Sequence, residues 1–348
     1  MVTLPRNELP SKAVTVPRLA VLSLIVLAAV LPLFTTSYVH SVLFDIYLFG
    51  FLGLCWNLIG GYGGQLSIGH ALFFGIGAYT PTLLYVNWGI SPWIGIFVGC
   101  FLCCLAAMLM GFLSFRFGLR GHYFALGSIA FAEIARFWAL SSGFMGGASG
   151  ILIPLKRGPS VGSFQFSEKW PFYYIALLFL IGAAVVTHLF RSSKLGLHAS
   201  ALGDSEKAAQ SIGINVMRVK MEVLILSAGL TGLGGCLYAQ YIMYIDPNMV
   251  FGINVSVEMI VRASVGGIKT IAGPIIGSLI LGCAAEVFRS SFGNLGGAHL
   301  MVYGLILVLV IFYLPNGIVG LLDRKGLERG FLRMKVLSRL PLGIRRVD

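Results

Sequence analysis

The sequence predicts an all-α integral membrane protein, a bundle of about 8–10 transmembrane helices with broken or re-entrant glycine-rich segments. Three observations predict it. Hydrophobic residues make up 57 % of the chain and charged residues only 11 %, where a soluble domain carries about 25 % charge. The mean hydropathy is +0.89. Apolar runs near the length of one bilayer crossing, roughly 20 residues, recur from residue 19 to residue 314, parted by short basic or glycine-rich breaks.

The formal net charge of +12 does not by itself argue for nucleic acid. The basic residues sit in breaks and in the tail beside apolar runs, where the positive-inside rule and anionic headgroups put them. Membrane lipids are the expected partners, and a nucleic-acid role is poorly supported. The six cysteines, Cys55, Cys100, Cys103, Cys104, Cys236 and Cys283, all lie in apolar runs. Cys100 and Cys103 have the spacing to share a helix face, but no His or carboxylate accompanies them. They read as buried small hydrophobes and not as a metal or redox site.

In order, residues 1–18 are polar and basic, with Arg6, Lys12 and Arg18 against Glu8. A basic start before the apolar run 19–34 also fits a signal peptide, but no small-x-small cleavage site follows, so the run reads as a retained first span. A second span over 42–59 ends in Gly60-Gly61-Tyr62-Gly63-Gly64. Gln65, Ser67 and His70 follow at once, on the way into a third span. Non-helical backbone at membrane depth is tolerated where protein buries it or where it lines a wet cavity. Gln65, Ser67 and His70 are therefore candidates for a translocation path or gate, against the plainer reading of a tight turn whose later glycines serve close helix packing.

A fourth span covers 92–112, and Arg116 and Arg120 mark a short loop behind it. The fifth opens at Gly121-His122 and carries Glu133 and Arg136 at i and i+3, a spacing that favours a structural ion pair on one face. Residues 141–170 form the largest polar loop. The sixth span, 171–190, leads to the longest polar interruption, residues 191–220. Within it Glu206-Lys207-Ala208-Ala209-Gln210 forms helix readily, Asp204 is placed to cap it, and Gly213 is placed to stop it. The seventh span, 221–243, is studded with small residues and should pack on several neighbours. After a short loop at 244–254, an apolar piece beginning at Ser256 reaches only to Gly266-Gly267, too short for an easy span. It reads as a tilted helix or one arm of a re-entrant hairpin. Glu258 and Arg262 in it sit at i and i+4 and should pair. Spans at 275–287 and 299–314 precede a tail, 315–348, with eight Lys or Arg against three acids, a composition for lying along a membrane face.

With ten crossings and the N-terminus inside, the N-terminal segment, the Arg116/Arg120 loop, 191–220, Lys269 and the tail all fall on the cytoplasmic side. The segments 60–77 and 266–282 share a Gly-Gly turn followed by a glycine-studded helix, as an internal repeat would.

The 191–220 segment, with E-x-A-A-x-x-x-G over residues 206–213, resembles the coupling loop of ABC importer permeases. Two further motifs extend the match: GYGGQLSIGHALFFGIGAYT at 61–80 and GGIKTIAGPIIGS at 266–278. A weaker one is GHYFALGSIAFAEIARF at 121–137. Over about residues 40–320 the chain resembles the LivM-type permeases of branched-chain amino acid ABC importers. It departs from that pattern at Arg262 and Lys269, which put charge where apolar or small residues are expected.

The resemblance implies a transmembrane permease domain at 19–314, with a cytoplasmic segment at 1–18 and a cytoplasmic tail at 315–348, in the bacterial inner membrane. It implies a LivH-like second permease subunit, two cytoplasmic ATPase subunits and a periplasmic solute-binding protein. Glu206, Ala208, Ala209 and Gly213 would then couple the chain to the ATPases, and Gly266 and Gly267 would join Gln65, Ser67 and His70 near the path. No G-x-x-x-x-G-K-[ST] loop is present, so ATP and Mg are expected in the partners and no cofactor in this chain. The expected solute is a branched-chain or similar neutral amino acid; urea and short amides are carried on the same motifs. Outside the family, an ion-coupled carrier would need an unpaired acid in the bundle, for which Glu133 and Glu258 are the candidates. An enzyme would need a nucleophile or metal constellation, and His70 and His122 lack acidic or thiol partners nearby in sequence.

Overall fold

The computed structural model describes residue 23 and residues 26–155, 161–166, 168–292, 304 and 317–322. The expected N-terminal segment 1–18, most of the expected last span at 299–314 and most of the tail lie outside the described residues. Two units divide the chain, Met1–Thr36 with Leu322–Asp348, and Ser37–Leu321. In the first, a helical stretch at 26–30 runs into a 3-10 turn, Leu31–Phe34. The second is the helical bundle.

Its helices are α1 (Ser37–Asn57), α2 (Ala71–Trp88), α3 (Pro92–Arg116), α4 (His122–Ser141), α5 (Trp170–Ser192), α6 (Lys194–Asp204), α7 (Glu206–Ser211), α8 (Val216–Ile242), α9 (Pro247–Phe251), α10 (Ile253–Gly266), α11 (Ala272–Phe292) and α12 (Gly317–Leu322). A π-helical turn, Leu58–Tyr62, extends α1. Among the described residues seven helical segments are long and apolar enough to cross a membrane: α1 with its extension, α3, α4, α5, α8, α9 with α10, and α11. The expected fold class holds. The α2 helix is not among the seven, because Thr80, Pro81, Thr82 and Asn87 lower its hydropathy; most of it is buried inside the bundle.

α8 is the hub for α2 and α3, and α1 is the hub for α5, α10 and α11. Small residues make this closeness available. A Cβ on Gly77 of α2 would lie 2.0 Å from the Gly232 carbonyl oxygen of α8, so the two backbones touch, as interfaces within a bilayer favour. On α3 the inward stripe is Gly95, Gly99, Cys103, Ala107, Met110 and Ser114. Its outward stripe is Phe97, Phe101, Leu105, Leu109 and Phe112, a surface made for lipid. Cys55, Cys103 and Cys236 are buried as expected, whereas Cys283 is exposed on the bundle surface.

Two readings from the sequence are extended by the structure. The segment 191–220 holds the expected short helix, α7, but is more helical than that: α6 precedes it, and α8 begins at Val216. The short apolar piece at 256–266 is also longer than it looks. Asp246 caps α9 by accepting from the Asn248 and Met249 N–H groups at 2.9 and 3.1 Å. Helix therefore starts at Pro247, and with α10 it reaches 20 residues, enough for a crossing. The turn at 244–245 is a strand, β2 (Tyr244–Ile245), antiparallel to β1 (Ile151–Leu152). That pairing joins the 141–170 loop to the α8–α9 connection at one end of the bundle. The glycine breaks, the α3–α4 turn and the α6–α7 pair gather at the other end, as the distribution of basic residues predicts. The two expected intrahelical pairs are present, Arg136–Glu133 at 2.6 Å and Arg262–Glu258 at 2.9 Å. Arg136 also donates to Asn248 at 2.7 Å, clamping α4 to α9.

Candidate functional site

The site begins with a break in the chain. After the π turn, residues 64–69 run without helix into α2, and their backbone N–H groups must find partners away from water. Serine hydroxyls supply them. Ser128 of α4 accepts from the N–H groups of Ile68 and Gly69, both at 3.0 Å, and Ser256 of α10 accepts from Ala71 at 2.8 Å. Trp56 donates its indole N–H to the Ser67 carbonyl at 2.7 Å. The break is thus held by three different helices.

His70 ties the knot. Its Nδ1 lies 2.8 Å from Ser67 Oγ and its Nε2 lies 2.8 Å from Ser227 Oγ of α8, while Ser227 donates to the Cys55 carbonyl of α1 at 2.7 Å. His70, Ser67 and Ser227 are fully buried. An imidazole held between two hydroxyls and facing no acid is neutral, with one nitrogen donating and the other accepting.

The second glycine break packs beside the first. Asn57 donates to the Thr270 carbonyl at 2.9 Å and accepts from the Lys269 N–H at 3.1 Å. Gly266 and Gly267 are buried at the α10–α11 turn. Gly267 has φ +130°, which only glycine adopts freely, and a Cβ on Gly266 would lie 1.7 Å from the Gly273 carbonyl oxygen. The two Gly-Gly motifs that echo each other in sequence are therefore neighbours in space. Lys269, an unexpected charge in sequence, reaches across to Asp204 at the end of α6, 2.6 Å away.

That contact leads to the α6–α7 pair. Ser193 caps α6, accepting from the Gly196 N–H at 3.1 Å, and Ser205 caps α7, accepting from Ala208 N–H at 3.3 Å. Ser205, not Asp204, is thus the cap; Asp204 faces Lys269. Gly213 ends the α7 turn with φ +86°, its N–H donating to the Gln210 carbonyl at 3.0 Å. The expected coupling residues divide between two faces. Ala208 and Gly213 are exposed, flanking Ile212, which is 75 % exposed. Ala209 is buried in a core cluster shared with α2, α3, α4 and α8. Glu206 also turns inward. Gln65 donates to its Oε1 at 3.1 Å and Lys220 of α8 donates to the same oxygen. Arg120 Nε lies 3.2 Å from its Oε2, an ion pair not aligned as a hydrogen bond. Beside them a cavity of about 490 Å³ opens between the α3–α4 turn and the α7–α8 link, lined by Phe115, Arg120, Gln210, Ile214 and Lys220.

The structure thus joins Gln65 to Glu206 and Ser67 to His70, while the turn that holds Gly266 and Gly267 is tied to the end of α1 through Asn57, which bonds Lys269 and Thr270. Sequence reasoning missed Ser128, Ser227 and Ser256, since a serine in a small-residue span looks like packing. It also passed over Asp45, an acid inside an otherwise apolar run. Asp45 is exposed on α1, and no hydrogen bond or ion pair joins it to another of the described residues.

A multi-spanning bundle whose interrupted helices converge, at one end, on a short external helix is a membrane transport subunit. The comparisons agree. The chain belongs to the family described as branched-chain amino acid transport system / permease component, whose model matches residues 38–311. It is 26 % identical over 326 residues to the high-affinity branched-chain amino acid transport system permease protein LivM of Escherichia coli, covering 87 % of this chain and 75 % of that protein. LivM of Salmonella typhimurium is 25 % identical over 324 residues, with the same coverage. LivH of Salmonella typhimurium is 30 % identical over 151 residues, covering 43 % of this chain and 46 % of that one. No solved structure matches.

Proposed function

We propose that the chain imports branched-chain or similar neutral amino acids as one of two permease subunits of an ABC importer, paired with a LivH-like subunit. Two cytoplasmic ATPases engage α7, use ATP and Mg, and drive the bundle between access states. A periplasmic binding protein delivers the solute, and both termini are cytoplasmic. The observation that carries this reading is the α7 tip: Ala208, Ile212 and Gly213 stand exposed on a helix whose inner face is tied to the ends of several spans. Such a peg is exposed for a partner and stiff enough to pass on a push. Gln65, Ser67, His70, Gly266 and Gly267 lie where that push enters the bundle, which supports a gating role for them beneath the path.

Replacing Ala208 by Trp tests it. The side chain points away from the bundle, so the fold changes by no more than about 0.5 kcal/mol. The variant is expected to insert and to pair with the second permease, yet to lose the ATPase subunits on co-purification and to lose uptake. Wild-type transport by Ala208→Trp would refute the coupling role. An ion-coupled carrier is the rival. Glu133 and Glu258 are each held by an arginine, but Asp45 is not, and uptake that survives ATP depletion under a maintained proton gradient would favour that rival.

A further inference from the structure

The coupling motif's glutamate is the one residue of α7 whose charge is spent entirely inside the chain. We propose that Glu206 is a positioning residue that works inward, fastening α7 to the bundle, and makes no contact with an ATPase. The inference rests on the reading of α7 as the coupling helix and says how a push on it is transmitted.

Geometry carries it. The Lys220 side chain is 3 % exposed and that of Glu206 is 17 % exposed. Among the described residues Glu206 is the only acid that pairs with Lys220. The ammonium of Lys220 otherwise faces the Phe115 ring, 5.6 Å from its centroid. A buried lysine needs its carboxylate, because taking an ammonium out of water unpaired is costly. Oε1 is further occupied by Gln65 and Oε2 faces Arg120. Those partners come from separate places: Lys220 from the first turns of α8, Arg120 from the α3–α4 turn, Gln65 from the glycine break. One turn further along the break lies the His70 knot, which reaches α8 through Ser227. Glu206 is therefore the point at which α7, α8, the α3–α4 turn and the break are made one mechanical body. Its neighbours Ala208 and Ile212 are left to face outward.

The test uses the full importer, purified with its ATPases and reconstituted in liposomes, with radiolabelled leucine as the transport probe. Glu206→Gln is expected to keep the ATPase subunits at wild-type stoichiometry and to go on hydrolysing ATP. Leucine taken up per ATP should fall about tenfold, the scale on which mutations along a coupling network act. Glu206→Asp, which keeps a carboxylate for Lys220, Arg120 and Gln65, should retain more of the uptake per ATP than Glu206→Gln at the same ATPase stoichiometry, a split that an outward docking role would not give. Where Glu206→Gln fails to accumulate in the membrane, Arg120→Gln is read instead, since Arg120 is 57 % exposed and its loss leaves the buried pair intact. Loss of ATPase subunits from Glu206→Gln, or unchanged uptake per ATP in the variant read, overturns the proposal. Failure of the coupling reading looks different: Ala208→Trp would then keep both ATPase binding and uptake.

Discussion

Replacing His70 by leucine separates what the buried knot contributes to the fold from what it contributes to transport. Leucine fills nearly the same volume, so cavity and overpacking terms stay small. What is lost is polar. The Ser227 hydroxyl loses one of two partners, at about 1 kcal/mol for a neutral hydrogen bond, and the Ser67 hydroxyl is stranded in a dry interior, at about 2 kcal/mol. The sum is about 3 kcal/mol, or about 6 °C in the thermal transition at about 2 °C per kcal/mol for a larger chain. Adding Ser67→Ala removes the stranded hydroxyl, so the double variant should be more stable than His70→Leu alone. That sign is the sharper half of the prediction, because independent sites would only add their losses. The assay is thermal unfolding of the purified permease pair in detergent, followed by uptake measured well below the transition. A transition for His70→Leu indistinguishable from wild type, or a double variant worse than the single, would refute the hydrogen-bond reasoning.

Two further predictions concern packing and sidedness. Gly77→Ala forces α2 away from α8, since its Cβ has backbone 2.0 Å away; a cost of about 1–3 kcal/mol should appear as reduced yield of assembled complex, whereas Gly99→Ala, with nothing nearer than 3.6 Å, should be nearly silent. Lys207→Cys, on the exposed face of α7, should react with a membrane-impermeant thiol reagent in inside-out vesicles and not in intact cells; the reverse pattern would invert the topology.

Much of this bundle is legible in the sequence because a bilayer imposes one requirement on every crossing, a long apolar run with its backbone bonds satisfied internally. Spans such as α3 and α5 declare themselves by length alone. Helix that is not apolar does not: α6 reads KLGLHASALGD, and its helicity rests on the Ser193 cap and on burial of Gly196, Ala199 and Leu202 against the bundle. The start of α9 was hidden for the same reason, since the Asp246 cap and Pro247 look like a loop. At the site, the E-x-A-A motif marks α7, but spacing alone gives no hint that Glu206 and Ala209 face in while Ala208 faces out. That division depends on Lys220, Arg120 and Gln65, which lie 14, 86 and 141 residues away and meet only in the fold.

Asp45 lies about 12 Å along α1 from Ser37, by the rise of 1.5 Å per residue, and its side chain is on the outside of this chain. Hydrocarbon does not tolerate a lone carboxylate, whereas α3 offers acyl tails a flank of phenylalanine and leucine. The subunit is accordingly two-sided, greased on one flank and thirsty on the other. A solitary copy adrift in a bilayer would have to protonate Asp45, draw water to it or lean on the positive charge of Arg262, a cost that the two-subunit arrangement proposed above would relieve.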